Sequence, residues 1–85
     1  MTINEFLKLP KSDQTKFFAT EECNTDEHVV INDNDQTLAM AYHATIGGIA
    51  VAYDGISQHP TEAAALHAAE EFQKHQQAKL YSRTS

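Results

Sequence analysis

The sequence predicts a small α+β domain: a three-stranded antiparallel meander, two short helices before it and one long helix after it. Three observations carry this. Apolar residues alternate with period two over Thr37–His43 and again over Ile49–Tyr53, with Gly47-Gly48 between them as a hairpin turn. Strong helix formers dominate from Glu62 to about Leu80, after Pro60. Pro10 divides the first twenty residues into two segments, each with a capping residue near its start.

Taken in order, Thr2 and Glu5 form a T-x-x-E capping box ahead of a short stripe of Ile3, Phe6, Leu7 and Leu9. Pro10 lacks an N–H and restricts Leu9, so the first helix ends there. Ser12 reads as the cap of a second short helix, with Asp13 in its first turn and Phe17, Phe18 and Ala19 on its apolar face. Residues 1–20 are thus a helical hook pinned by aromatic rings. Residues 21–27 read as a polar acidic connector. His28–Ile31 is a short β-branched strand, and Asn32-Asp33-Asn34-Asp35 is a turn.

In the next strand Leu38, Met40 and Tyr42 share one face, and Ala39, Ala41 and His43 the other. Ile49, Val51 and Tyr53 alternate with Ala50 and Ala52, and Asp54-Gly55 closes a sheet that spans 28–54. Thr61 caps the last helix, 61–80, whose buried stripe is Ala65, Leu66, Ala69 and Phe72, with Ala68 beside them. Tyr81–Ser85 reads as a frayed tail. Neither sheet face is polar, whereas a solvated face would be. The last helix therefore covers one face, and the other is covered by the hook or by a second copy of the chain in a homodimer.

The chain has 85 residues, which fits one domain, 1–85. Its 41% hydrophobic and 21% charged residues are those of a foldable soluble domain. No apolar run approaches the roughly 18–20 residues of a membrane span, and the first residues lack the pattern of a secretory leader. Cys23 is the only cysteine, so there is no internal disulfide framework, and a reducing, cytoplasmic location is expected.

Charge is the strongest functional signal. Six bases stand against twelve acids, for a net charge of −6. That balance excludes binding nucleic acid by phosphate neutralisation and excludes a polybasic membrane anchor. Between Lys16 and Lys74 there are ten acids and no Lys or Arg. Such a stretch either solubilises the protein or docks on a basic surface. For docking, the candidate residues are Glu21, Glu22, Asp26, Glu27, Asp33 and Asp35, acting as phosphate mimics. Tyr42 and Tyr53, at matching places on neighbouring strands, are candidate apolar anchors, tyrosine being enriched at interfaces.

Other chemistry is weaker. His67, Glu71 and His75 follow at i, i+4 and i+8 and share a broad helix face, so they are the candidate metal ligands, lacking a fourth partner and any H-E-x-x-H pattern. The Asp33-Asn34-Asp35 turn fails the EF-hand spacing, with Leu38 where glycine is needed and Ala44 where glutamate is needed. His28, His43 and His59 are isolated in sequence. Cys23 sits among Glu21, Glu22, Asp26 and Glu27, and anions suppress a thiolate. No nucleophile elbow, phosphate loop or dinucleotide fingerprint occurs, so neither an enzyme nor a cofactor is expected.

In size and acidity the chain is similar in type to small accessory proteins of phages and plasmids, such as anti-CRISPR and anti-restriction inhibitors, without sharing motif residues with them. That likeness implies a partner: a larger protein or nucleoprotein complex with a basic nucleic-acid channel. The expectation is a non-enzymatic protein-binding module that contacts neither nucleic acid nor membrane directly.

Overall fold

The computed structural model describes residues 1–82, and residues 83–85 lie outside the described residues, including the end of the expected tail. The element order is α1 (Ile3–Leu7), α2 (Lys11–Thr20), β1 (Cys23–Ile31), β2 (Thr37–Ile46), β3 (Ile49–Val51) and α3 (Glu62–Ser82). The strands form one antiparallel sheet in the order β1-β2-β3. The α+β class is as the sequence predicts. Among the described residues no helix is long and apolar enough to cross a membrane.

The capping box is present at α1: Thr2 Oγ1 accepts from the Glu5 N–H at 3.2 Å, while the Glu5 carboxylate accepts from the Thr2 N–H. Helix α2 starts two residues earlier than expected, with Pro10 rather than Ser12 at the cap and no side-chain cap bond. The loose end of α1 is tied down from α2 instead. Gln14 Nε2 donates to the carbonyls of Leu9 (3.0 Å) and Phe6 (3.3 Å), the latter shared with the Leu9 N–H.

The hook then closes on α3 through rings. Phe18 lies 4.7 Å from Phe6 and 5.1 Å from Phe72, the latter edge-on, and Phe6 is buried between Phe17 and Phe18. Two α3 side chains reinforce this seam: Gln73 donates to the Glu21 carbonyl, and Gln77 to the Ala19 carbonyl at 3.1 Å.

Helix α3 crosses the face carrying the large residues. Ala44, Ile46 and Val51 of the sheet meet Ala68 and Ala69 of the helix, with Phe18, Cys23, Tyr53 and Phe72 around them. Small helix residues let the backbone come close, and Ala65 and Ala69 are fully buried. Leu66, expected in this stripe, is exposed. Ala68 holds its place, because the stripe follows residues 65, 68, 69 and 72.

Three strand expectations need correction. Residues 23–27 are not a connector but the first half of β1, paired from Cys23↔Ile46 to Glu27↔Tyr42. Strand β3 stops at Val51, short of Tyr53. The chain bulges out through a tight turn in which Asp54 and Gly55 both have positive φ, Tyr53 bridges Ile56, and His59 rather than Tyr53 arrives opposite Tyr42. Lastly, the hook packs on α3 and against the Gly47 turn, not over the alanine face. That face, with Ala39, Ala50 and Ala52 exposed, is left uncovered by the hook.

The molecule is elongated, 54 × 25 × 19 Å. Helix α3 begins beside His59, at the level of Tyr42, and runs toward the Gly47 end. The outer half of the β1–β2 hairpin therefore projects beyond the body as a two-stranded arm. From Glu27 to its turn it reaches about 15–20 Å at the usual strand rise.

Candidate functional site

The six candidate carboxylates do not converge on one patch. They lie along a line that follows β1. Glu21 is the C-cap of α2 and Glu22 leads into the strand; Asp26 and Glu27 stand at its middle; Asp33 and Asp35 sit in the turn at the arm's tip. Successive strand residues point to opposite faces, so Glu27 shares the α3 side with Tyr42, and Asp26 shares the far side with His43. All six are exposed.

The backbone of β1 adds what sequence reading missed. Tyr42 exchanges both of its main-chain hydrogen bonds with His59, at 2.9 Å each. Tyr42 therefore faces away from β1, and Glu27↔Tyr42 is a non-hydrogen-bonded pair of the β1–β2 ladder. By alternation, the N–H and C=O groups of Thr25, Glu27 and Val29 point outward from the sheet edge. The Thr25 N–H is met locally, by Asn24 Oδ1 at 2.8 Å. Glu27 and Val29 remain as the open part of the edge, bordered by the Asp26 and Glu27 carboxylates. The signal for this in sequence was the alternation Cys23, Thr25, Glu27, Val29, masked by its polar residues.

The tip is a self-satisfied turn. Asn32 Oδ1 accepts from the N–H groups of Asn34 (2.9 Å) and Gln36 (3.0 Å), and Asp35 takes the left-handed backbone at φ 59°. Tyr42 and Tyr53 lie on the α3 side of the sheet but are not cross-strand partners. Tyr53 is half-buried, stacked on His75 at 5.7 Å with its hydroxyl 3.2 Å from His75 Nε2.

The same contact divides the candidate metal ligands. His75 turns to Tyr53, while His67 Nε2 lies 3.7 Å from Glu71 Oε1. Among the described residues no three His, Cys, Asp or Glu side chains are placed to hold a metal ion. His28 and His43 are not isolated, as they are in sequence: their rings stack at 5.0 Å on the far face. The buried Nε2 atoms of His43 and His59 have no hydrogen-bond partner among the described residues.

Burial pushes the Cys23 thiol up, and the Glu70 and Glu22 carboxylates push it further. The direction is the one expected from the acids around it in sequence. Burial is the larger cause, and Glu70 on α3 is a neighbour that sequence distance concealed. The thiol donates to Gln73 Oε1 at 3.4 Å, which holds it as S–H.

Compared with protein-family models, with curated proteins and with solved structures, the chain matches none.

Proposed function

We propose that this chain is a non-enzymatic protein-binding module that presents the acidic edge of β1 to a basic, extended surface of a larger protein or nucleoprotein partner. One observation carries the reading: an edge strand whose outward main-chain groups at Glu27 and Val29 are bordered by carboxylates, in a stretch with no Lys or Arg from residue 17 to 73. An added strand would gain main-chain hydrogen bonds along the edge. Lys or Arg side chains on that strand would meet Glu22, Asp26 and Glu27. A surface that normally holds nucleic-acid phosphates has the charge this edge complements, so an inhibitory or accessory role at such a channel follows. The root of the strand carries the docking, and the distant tip acids Asp33 and Asp35 add little to it.

The test is titration with a Lys/Arg-rich extended peptide, followed by amide chemical shifts. The expected result is movement of the Thr25–Val29 amides, weakening with salt. Glu22→Lys/Asp26→Lys/Glu27→Lys should abolish it, while the Gln and Asn counterparts only weaken it. Salt-independent binding, or shifts confined to other elements, overturns the reading.

A further inference from the structure

The projecting arm carries an apolar strip on the α3 side. Val29 and Met40 stand opposite each other, 45% and 41% exposed; beyond a bulge after Val30, where Ile31 pairs with Thr37 and leaves Leu38 as the extra residue, Ile31 and Leu38 follow toward the tip at 54% and 63%. A two-stranded ribbon is marginal in water without a covered face. At the other end of the molecule the hook shows a second strip. Ile3 and Leu7, spaced i, i+4, share the outer side of α1, while Phe6 faces inward.

The two strips differ in charge. The arm bears Asp26, Glu27, Asp33 and Asp35 and no base. The hook bears Lys8, Lys11 and Lys16, all exposed, against Glu5, held to Thr2 in the capping box, and Asp13 in the first turn of α2, so that it is weakly positive where the arm is strongly negative. Hook and arm lie at opposite ends of strand β2, the hook against Gly47 and the arm beyond Tyr42, so they cannot meet within one chain.

We infer that the arm of one copy docks on the hook of a second, and the second arm on the first hook, in a closed two-fold dimer. The arm strip exposes on the order of 300–400 Å² and the Ile3/Leu7 strip about 200 Å², each too little for a stable interface. A reciprocal pairing uses both strips of each chain, about 550 Å² of apolar surface, and with the flanking Asp33, Asp35, Lys8 and Lys11 comes nearer to the roughly 800 Å² per partner of a standard one. A two-fold axis makes the two contacts identical. Leu38 and Ile31 then cover Ile3 and Leu7, while Asp33 and Asp35 reach Lys8 and Lys11. The contact uses the Val29 side chain but not the outward main chain of Glu27 and Val29 or the Glu22 and Asp26 carboxylates, and the charge changes that test it lie at Lys8, Lys11, Asp33 and Asp35, so dimerisation is tested apart from the proposed docking.

The experiment is sedimentation equilibrium of the full chain over a concentration series, with circular dichroism to check each variant's fold. Wild type should reach twice the 9.5 kDa chain mass. Lys8→Glu/Lys11→Glu should weaken dimerisation about tenfold or more, as like charges oppose. Asp33→Lys/Asp35→Asn should do the same, the Asn keeping a residue that tolerates the left-handed backbone. Combining all four changes should restore most of the loss. Leu38→Lys, at a position already in water in the monomer, should yield a folded monomer. A wild type that is monomeric throughout overturns the inference. So does a dimer insensitive to both charge sets, which would place a different occupant on the arm, and so does open-ended polymerisation.

Discussion

Replacing Phe18 by alanine should detach the hook. Phe18 is the one ring that touches both α1, through Phe6, and α3, through Phe72. Full burial would put Phe→Ala at about 3–5 kcal/mol; Phe18 is only half-buried, so about 2–3 kcal/mol is expected. A chain of this length has about 4–13 kcal/mol in total, so the loss is a large share of it. The midpoint of thermal unfolding should fall by about 10–20 °C. Urea titration and thermal melting monitored by circular dichroism, at one fixed protein concentration, measure the two quantities. Leu7→Ala is the control: at 64% exposure it should change stability by no more than about 0.5 kcal/mol in the monomer. A Phe18→Ala loss below about 1 kcal/mol would refute the idea that the rings hold the hook, and would leave the Gln73 and Gln77 bonds to do so.

Two further outcomes follow from single sites. Gly47→Ala should cost about 1–3 kcal/mol, because φ is +60° and a Cβ would run into the Phe17 ring; Gly48→Ala, with open space at φ +83°, should cost clearly less by the same urea titration. Alkylation of Cys23 should be slower in the folded chain than in the urea-unfolded one at mildly alkaline pH, and Glu70→Gln should speed it. The folded thiol holds its proton to higher pH than the unfolded one. Its effect on stability is therefore nil at neutral pH, and stability falls as pH rises through the ordinary thiol range.

The legible parts of this fold were those where one local rule acted alone. The capping box at Thr2, the Gly47-Gly48 hairpin and the Thr61 cap each follow from residues within four positions, and each is present. β1 was half hidden, because Asn24, Asp26 and Glu27 are poor strand formers held in the sheet by their partners on β2. Tyr53 was misplaced because the alternation continues past Val51, while two left-handed residues, Asp54 and Gly55, divert the chain. The acids were visible as a group, but their spacing was not. A connector could have gathered them, whereas a strand stretches them out. The neighbours that matter most to Cys23, Glu70 and Gln73, lie about fifty residues away in sequence, and no local pattern reaches them.

The spread of the acids decides how charge can act here. At physiological salt the screening length is about 8 Å. Along a strand that is between two and three residues. Asp26 and Glu27 therefore act together, with Glu22 at the margin, while Asp33 and Asp35 at the tip are electrostatically a separate pair. Carboxylates at an open edge also repel a second β1: in a centred antiparallel self-pairing, Glu27 would face its own copy. The edge is thus guarded against its own kind, which is compatible with the proposed docking of a basic strand. The apolar strip of the arm has no such guard, since its charges sit beside it rather than on it. One hairpin accordingly offers two surfaces of different chemistry, an acidic edge to which the proposed function assigns a basic segment and an apolar face to which the inferred dimer assigns the hook of a second copy.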